Sequence, residues 1–585
     1  MLSAESHTIS RSHAISSACP PDERMTQLFD AVAQGGVTTA HAIFARMAEA
    51  GIGRDDHRIA GTRRKLEALG DAGIDRAAFA ELIGDELLTV SRIFRKQLII
   101  PDWQDFCHAI RGIYDEVAPD RSGANADYIP ILRDADPDKW GVSLCSIDGQ
   151  RFSCGDVDVY HSIQSVSKPL TYSFALLREG EEFTSRFVGT EPSGRPFNAL
   201  DLLPDMRPFN PCVNAGAIMT AGIVASGSPE KSAREVTHDI MAMWRDLSGS
   251  IAEVRFSEET MLSERSTAHN NYAISYLLQG RKGLPRDVDL HKMLEVYLSC
   301  CSIEMTCEML SVAAATLANG GVCPLTGVQV LPTELVKKTL AVMQFAGMYD
   351  NAGVFTLQVG LPAKSGVAGA ILVVVPNLMG FATFSPRLDS YGNSVRGVTF
   401  CRKLVERFTF HVYDSLSGGR TGCKLDPRES QHNRKQRDLS DLKWALAHGD
   451  RSALKVHDLL LTTMIDICIA DGDVEDDELD IISNTLDTII GSKVASAQVR
   501  AMSEARLAQG SAPFDDLLAL LARECASLDD NVRGLLLEAA FRVSCADGDI
   551  EPEEYVRLAA IAEALGVHKG VLDIQVDRFR RNALL

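Results

Sequence analysis

A serine and a lysine stand three residues apart in the segment QSVSKPLTY, where Ser165 precedes Lys168. A serine hydroxyl is a weak nucleophile until a base removes its proton. On a helix, residues three apart lie on one face within about 5–6 Å of each other. A lysine that is partly buried or near another cation has a lowered pKa and can act as that base. The pair therefore predicts acyl transfer through a covalent serine intermediate.

The Ser-x-x-Lys pattern alone does not identify the nucleophile, because it occurs at Ser165, Ser228, Ser440 and Ser452. Only Ser165 leads into an apolar helical segment, in which Pro169 falls near the first turn, where a missing N–H costs least. A nucleophile at a helix N-terminus also gains backbone N–H groups that can stabilise an oxyanion. These features make Ser165 the candidate nucleophile.

A second motif, Lys364-Ser365-Gly366, stands at the start of an apolar, strand-like run. Lys-[Ser/Thr]-Gly on an edge strand beside Ser-x-x-Lys is the signature of the serine β-lactamases and penicillin-binding proteins. We expect the glycine to let substrate approach the strand and the following N–H to complete an oxyanion hole. The middle Ser-Asp-Asn motif of that group is absent from the sequence. The two motifs together favour a serine acyltransferase.

Strand patterns frame the helical region that follows the serine. The segment WGVSLCSIDGQRFSCGD predicts a β-hairpin around Asp148-Gly149, and AGAILVVVPNLMGFATF predicts two buried strands joined by a turn at Pro376-Asn377. The second run is interrupted and too short to cross a membrane. Strands at both ends with helices between them predict an α+β domain whose sheet is closed by its N- and C-terminal strands.

The 585 residues exceed what one hydrophobic core supports, so several domains are expected. Helical periodicity, a change to strand texture and a polar stretch indicate the boundaries. The predicted segments are a flexible tail over 1–22, a helical domain over 23–119, a catalytic domain over 120–413, a linker over 414–440 and a helical domain over 441–585. We therefore expect an α+β domain flanked by two all-α domains.

In the first helical domain, LEALGDAGIDRAAFAELI has the helix–loop–helix rhythm of an EF-hand. Its loop offers only Asp71 and Asp75 as carboxylates and lacks the final glutamate, so we do not expect calcium binding there. The pattern predicts a degenerate, EF-hand-like domain.

The last domain contains an internal repeat, since IADGDVEDDE and CADGDIEPEE share the pattern A-D-G-D-[VI]-E-x-x-E. An EF-hand register fails, because Ile482 and Leu558 stand where the bidentate glutamate is required. Either each Asp-Gly ends one helix while the carboxylates cap the next, or the carboxylates bind a hard divalent cation. The candidate ligands are Asp471, Asp473, Glu475, Glu478, Asp547, Asp549, Glu551 and Glu554.

The net charge of -20 argues against a nucleic-acid partner, which needs a basic surface. The 14 cysteines are scattered without a CxxC pair, so neither a disulfide framework nor a zinc site is indicated. The first residues lack the apolar stretch of a secretory signal. We therefore expect a soluble cytoplasmic protein without a membrane or nucleic-acid partner.

Motifs spread through residues 120–413 resemble the serine-dependent glutaminases: DYIP, WGVSLCSIDGQRFSCGD, QSVSKPLTY, EPSGRPFN, NPCVNAGAI, SERSTAHNNYAISYLL, YLSCCSIE, AATLANGGVCPLTG, GMYDNAG and LPAKSGVAGAILVVVPN. The resemblance implies a β-lactamase-like fold, hydrolysis of L-glutamine to L-glutamate and ammonia without a cofactor, and assembly into dimers or tetramers. The segment FRKQLIIPDW is similar to the N-terminal region of the longer animal glutaminases. The C-terminal repeat resembles the TerB-like (tellurite-resistance) domains, which are associated with metal binding.

The glutaminase resemblance also implies a role for each matching residue. Ser165 is the nucleophile, Lys168 is its base, and Tyr349 relays protons to the leaving ammonia and from the attacking water. Tyr297 takes the place of the missing middle motif, and the N–H groups of Ser165 and Val367 hold the oxyanion. Glu264 suits the ammonium of a free amino acid, and amide or hydroxyl donors suit its carboxylate. The residues implied to line the glutamine site are Tyr128, Ser165, Asn214, Glu264, Asn271, Tyr297, Tyr349 and Val367, with no metal in this domain.

The residue types alone leave alternatives open. Tyr297 has the spacing of a core residue, and Asn214 could be a turn or cap residue. Glu264 could pair with Arg265 or with a neighbouring helix. Lys364 could be structural rather than chemical. The alternative functions are a β-lactam-recognising serine acyltransferase and a catalytically silent, metal-sensing scaffold.

Overall fold

A computed structural model of the chain describes residues 21–70, 72–414, 424–430, 451–469, 476–490, 496–508, 513–525, 530–545, 550–567 and 569–583. Most of the predicted tail and of the predicted linker lies outside these ranges. The chain forms two compact units, Met1–Gln97 and Leu98–Leu585. No described helix combines the length and the apolar character that a membrane span requires.

The first unit contains short α-helices with buried apolar residues, among them Ile43, Met47 and Phe79. The carboxylate of Asp75 accepts the Ala78 N–H at 2.9 Å and caps the fourth helix. Asp71, the other carboxylate of the EF-hand-like loop, lies outside the described residues. The helices are α1 Pro21–Asp30, α2 Ala40–Glu49, α3 Ala60–Leu69, α4 Arg76–Ile83 and α5 Leu87–Phe94.

The second unit is built on an antiparallel five-stranded sheet with the strand order β2-β1-β8-β7-β6. Its strands are β1 Gly141–Ser146, β2 Arg151–Gly155, β6 Ala363–Ser365, β7 Ala370–Val375 and β8 Met379–Phe384. A smaller sheet joins β3 His161–Ser162, β4 Arg255–Phe256 and β5 Ile303–Met305 in the order β3-β5-β4. The predicted hairpin corresponds to β1 and β2, and the predicted pair of buried strands to β7 and β8.

The two sequence-distant ends of the domain meet where β1 pairs with β8, from Gly141 opposite Phe384 to Ser146 opposite Met379. The sheet is nevertheless open, with β2 and β6 at its edges, so the prediction of a closed sheet is wrong. Helices on both faces explain why closure is unnecessary, because they bury the apolar side chains of the strands. Apolar residues of α6 and α18 cover one face, and α15 packs against the other.

Helix α10 lies at the centre of the helical part. All of its residues are buried, and its small side chains allow α8, α13 and α14 to pack closely around it. The helices of this domain are α6 Trp103–Val117, α7 Pro130–Arg133, α8 Ser167–Glu179, α9 Glu181–Ser185, α10 Asn214–Ser226, α11 Ala233–Leu247, α12 Glu258–Thr267, α13 His269–Arg281, α14 Leu290–Cys301, α15 Cys307–Ala318, α16 Thr333–Ala346, α17 Ala352–Gln358 and α18 Val395–Arg407.

The C-terminal residues form a further set of helices around an apolar core that includes Leu460, Leu486 and Leu536. The helices are α19 Arg451–Cys468, α20 Asp476–Ile490, α21 Ser496–Leu507, α22 Pro513–Cys525, α23 Asp530–Ser544, α24 Pro552–Ala564 and α25 Lys569–Ala583. The predicted all-α character of this region is therefore confirmed for its described residues.

The candidate metal ligands of this region fall into two groups. Asp471, Asp473, Glu475, Asp547 and Asp549 lie outside the described residues. Glu551 and Glu554 form a reciprocal capping box at the start of α24, in which the Glu551 N–H donates to Glu554 at 2.8 Å. Glu478 accepts a hydrogen bond from the Cys468 thiol at 3.2 Å. No group of three possible metal ligands occurs among the residues that the structure describes. The metal prediction therefore gains no support, and the capping interpretation fits Glu551 and Glu554.

Candidate active site

Ser165 lies on a short 3-10 turn, Gln164–Val166, that leads directly into α8. The sequence predicted that this serine leads into a helix at its N-terminus, which is where the structure places it. Gln164 adopts a left-handed conformation with φ of 47°, and the Ser167 hydroxyl donates to its carbonyl oxygen at 2.7 Å. The turn therefore presents Ser165 on a fixed corner of backbone, at a position that is almost completely buried.

Lys168 is 2% exposed, and its ammonium nitrogen donates to Asn214 Oδ1 at 2.6 Å and to the Cys212 carbonyl at 3.2 Å. Burial lowers the pKa of Lys168, which favours the neutral amine that a base requires. Asn214 in turn donates from Nδ2 to Asn271 Oδ1 at 2.9 Å. The two asparagines predicted to bind substrate therefore also orient the candidate base.

Tyr349 opens a 3-10 turn with a left-handed φ of 53° and is buried. Its hydroxyl donates to the Ser365 carbonyl at 3.0 Å and lies against the Ser165 side chain. Burial raises the pKa of Tyr349, and the hydrogen bond with Ser165 partly opposes this rise. Its ring packs on Phe197 with 4.7 Å between centroids. The phenol is thus positioned between the candidate nucleophile and the Lys-Ser-Gly strand.

Tyr297 and Glu264 also lie near the candidate base. The Lys168 nitrogen is 5.9 Å from the centroid of the Tyr297 ring, and burial raises the Tyr297 pKa. Glu264 accepts a hydrogen bond from Gln164 Nε2 at 3.2 Å, and burial raises its pKa to about 7. Glu264 is therefore tied to the nucleophile turn, and no ion pair with Arg265 forms within the described residues.

Lys364 and Ser365 of the Lys-Ser-Gly motif lie on the edge strand β6, as predicted, and Gly366 follows the strand directly. A Cβ at Gly366 would lie 2.6 Å from the Ile163 carbonyl, so glycine lets the nucleophile turn itself lie against the strand. The structure thus shows close approach of this turn to Gly366, and approach of substrate to the same glycine stays a prediction. Across the described chain, the N–H groups of Ser165 and Val367 donate to no protein acceptor and are available to an oxyanion.

Tyr128 is 49% exposed, unlike the other predicted site residues. Its neighbours Ala126 and Ile129 belong to the apolar cluster that contains Tyr349 and Val367. Tyr128 is therefore at the rim of the site. The structure brings together Ser165, Lys168, Asn214, Glu264, Asn271, Tyr297 and Tyr349, with Val367 beside them and Tyr128 at this rim.

Three residues of this site carried no role in the sequence analysis. Gln164 links Ser165 to Glu264, Phe197 packs on Tyr349, and the Cys212 carbonyl holds Lys168. Phe197 and Cys212 also line a cavity of about 460 Å³ beside Tyr349. The only sequence signal for Gln164 is its position before the nucleophile. Phe197 and Cys212 lie in recognisable motifs, but their side chains are not of a type that indicates a role.

The fold places this chain in the β-lactamase-like class of proteins, and its site carries the Ser-x-x-Lys and Lys-Ser-Gly motifs. Within that class, the protein-family model described as Glutaminase matches residues 123–413. Tellurite resistance protein TerB matches residues 457–573, and an EF-hand domain matches residues 24–101. The TerB-like prediction is thereby confirmed.

Individual relatives and solved structures agree with this assignment. The chain is 42% identical over 382 residues to "Glutaminase liver isoform, mitochondrial" of Mus musculus, covering 65% of this chain but only 62% of that relative. It is 41% identical over 301 residues to the glutaminase of Nostoc sp., covering 51% of this chain and 87% of the relative. A structure described as "Probable glutaminase ybaS" matches with a TM-score of 0.50 and 35% identity, over 53% of this chain and 98% of that chain. The chain belongs to the glutaminase family.

Proposed function

We propose that this protein hydrolyses the side-chain amide of L-glutamine to L-glutamate and ammonia. The observation that carries the proposal is that Ser165, which hydrogen bonds with the Tyr349 side chain, stands three residues before the buried Lys168 at the start of α8. Two uncommitted N–H groups, of Ser165 and Val367, complete the arrangement within the described residues. A nucleophile, a base, a proton relay and an oxyanion site are the parts that amide hydrolysis through an acyl-enzyme needs.

The proposed reaction has two halves. In the first, Ser165 Oγ bonds to the amide carbon as Lys168 takes its proton, and the resulting oxyanion accepts from the Ser165 and Val367 N–H groups. The C–N bond then breaks as Tyr349 and Lys168 pass a proton to the departing ammonia. In the second half, water gives a proton to the same groups and attacks the ester, and Ser165 leaves with that proton as glutamate forms.

Specificity for a free amino acid rests on Glu264, the buried carboxylate beside the nucleophile turn. Its charge matches the α-ammonium of glutamine, and the Asn214 and Asn271 amides with the Tyr128 hydroxyl offer polar partners for the α-carboxylate. The testing experiment compares steady-state ammonia release from glutamine and from asparagine. Preference for glutamine supports the proposal, and absence of release from either amide contradicts it.

No observation favours the two alternative functions. Acylation of Ser165 by a labelled penicillin without glutamine turnover is the result that favours a β-lactam-recognising acyltransferase. Any turnover of glutamine that depends on Ser165 excludes a silent scaffold. We further propose that the protein is a homo-oligomer. We also propose a reducing, cytoplasmic compartment, because the described cysteines form no disulfide.

The affinity for glutamine should depend on pH through Glu264. Burial raises the pKa of this carboxyl to about 7, so the group is largely neutral below that pH and anionic above it. The anion is the form that attracts the substrate ammonium, so we expect KM to fall about tenfold between pH 6 and pH 8. Steady-state kinetics across this range measure the change.

The matched variants for this test lie on one helix, α12. Glu264→Gln should raise KM and remove its dependence on pH, whereas Glu259→Gln, at an exposed position, should leave the wild-type profile intact. A KM that stays constant between pH 6 and pH 8 in the wild type would contradict the role of Glu264.

Catalysis should not require a metal ion. The proposed chemistry obtains its base from Lys168 and its oxyanion stabilisation from two N–H groups, so no Lewis acid is needed. We expect dialysis against a chelator to change kcat by less than about twofold. A loss of kcat of more than tenfold, reversed by added Mg²⁺ or Mn²⁺, would contradict this expectation. Thermal unfolding of the same samples reports any metal that stabilises the C-terminal helices.

A further inference from the structure

Lys364 is a fully buried lysine on the edge strand β6 that the proposed reaction does not use. Its nitrogen donates to the Gly347 carbonyl at 2.9 Å and to the Ser365 carbonyl at 2.7 Å. Within the described residues it has no ion pair with a carboxylate. Burying a cation without a counter-charge is expensive in free energy, and simple packing would be served by an apolar side chain. The position therefore calls for a specific reason to keep a lysine.

Both carbonyls that Lys364 holds belong to the surroundings of Tyr349. Gly347 precedes the Tyr349 turn, and its carbonyl also accepts the Ser365 N–H at 3.1 Å. The Ser365 carbonyl is the acceptor of the Tyr349 hydroxyl at 3.0 Å, so lysine and phenol donate to one oxygen. The Lys364 nitrogen also lies 4.4 Å from the centroid of the Tyr349 ring. The lysine thus contacts the tyrosine through its backbone, its ring and its hydrogen-bond acceptor.

The Tyr349 turn needs such support, because a left-handed φ of 53° is unfavourable for a bulky residue. A Cβ at Gly347 would lie 1.7 Å from the Ala363 carbonyl, so the turn is pressed against β6. On its other side, Asn393 Nδ2 donates to the Met348 carbonyl at 3.3 Å. Lys364 adds a contact from β6, through its hydrogen bond to the Gly347 carbonyl.

We propose that Lys364 is a positioning residue that fixes the Tyr349 hydroxyl beside Ser165 and stabilises its deprotonated form. The inference rests on the proposed function, since it assigns Tyr349 the proton transfers of that reaction. A cation near the ring and on the shared carbonyl favours the phenolate that forms when Tyr349 gives up its proton. Tyr349 can then release and regain a proton within each turnover, although burial alone raises its pKa.

Near neutral pH the buried Lys364 amine is divided between its charged and neutral forms, and the charged form is the one that stabilises the phenolate. Burial lowers its pKa to about 7, and Lys168 on α8 acts in the same direction, whereas the thiols of Cys212 and of Cys301 on α14 oppose the change. Lys168 and Lys364 are therefore two buried amines of this site, one hydrogen bonded to Asn214 and one to the Ser365 carbonyl that also accepts the Tyr349 hydroxyl. The first serves as base and the second acts through the tyrosine.

A double-mutant cycle separates this role from a structural one. Lys364→Met should lower kcat for glutamine about a hundredfold with KM changed less than about threefold, because the lysine does not touch substrate. In a Tyr349→Phe background, the same substitution should change kcat by less than about threefold, since the group through which it acts is already gone. A purely structural lysine would cost the same factor in both backgrounds.

Two further variants complete the design. Lys364→Gln retains a donor for the carbonyls without the charge, and it replaces the methionine variant in the cycle if that protein does not fold. Thr383→Val, a buried isosteric change in the same sheet, should leave kcat unchanged. Equal losses of kcat in the wild-type and Tyr349→Phe backgrounds, or an unchanged kcat in Lys364→Met, overturn the inference. Glutamine turnover by the wild type upholds the proposed function in either case. A wild-type protein without glutamine turnover refutes the proposed function instead.

Discussion

Ser165→Ala should lower kcat for glutamine by at least about 10⁴-fold. Without Oγ no acyl-enzyme can form, and only the oxyanion N–H groups and substrate binding remain to assist direct attack by water. The substitution removes one buried oxygen and leaves the turn in place, because the bond that fixes the turn comes from Ser167 to the Gln164 carbonyl. Ammonia release measured over hours at high enzyme concentration gives the residual rate.

The control for this variant is Ser228→Ala, which removes a serine from the same Ser-x-x-Lys pattern outside the site. It should keep kcat within about twofold of the wild type. Calorimetric binding of glutamine to Ser165→Ala should show a Kd close to that of the wild type, since Glu264 and the asparagines are untouched. Activity above one hundredth of the wild-type value in Ser165→Ala contradicts the assignment of the nucleophile.

Lys168→Met should lower kcat about 10³-fold, the range in which general bases contribute. Burial favours the neutral amine of Lys168, and the hydrogen bond to Asn214 orients it beside the nucleophile turn. Methionine fills nearly the same volume without a proton acceptor. Steady-state kinetics at saturating glutamine measure the loss, with thermal unfolding as the check that the fold persists.

Lys168→Arg distinguishes a base from a structural cation. Arginine keeps a positive charge and hydrogen-bond donors but does not deprotonate in proteins, so it should not restore activity. Recovery of more than a tenth of the wild-type kcat in Lys168→Arg would mean that a charge, rather than a base, is required. Lys231→Met, the lysine that follows Ser228 in the same pattern, should be close to wild type.

The parts of the fold that local sequence patterns specify were predicted correctly. The hairpin β1–β2 follows from alternation around Asp148-Gly149, and the buried pair β7–β8 follows from two apolar runs around Pro376-Asn377, where Asn377 adopts a left-handed φ of 59°. Which strands become neighbours is not a local property. The pairing of β1 with β8 places two distant segments together, and whether the resulting sheet closes depends on the helices that cover its faces.

The site shows the same division between local and non-local information. Motifs identify Ser165, Lys168 and the Lys-Ser-Gly strand because their chemistry depends on residue type and spacing. The bond from Lys168 to Asn214, the contact of Gln164 with Glu264 and the close approach at Gly366 depend on packing between α8, α10, α12 and β6. No spacing rule in the sequence predicts these contacts, and they decide which side chain orients which.

The most direct test of the account is chemical identification of the intermediate. Glutamine is mixed with the wild-type protein, the reaction is quenched in acid within its first turnover, and the peptides are mapped by mass spectrometry. We expect a glutamyl ester on Ser165 that is absent from Ser165→Ala and decays as glutamate appears. Turnover in which no residue becomes acylated, or in which the acyl group is found on a residue other than Ser165, would contradict it.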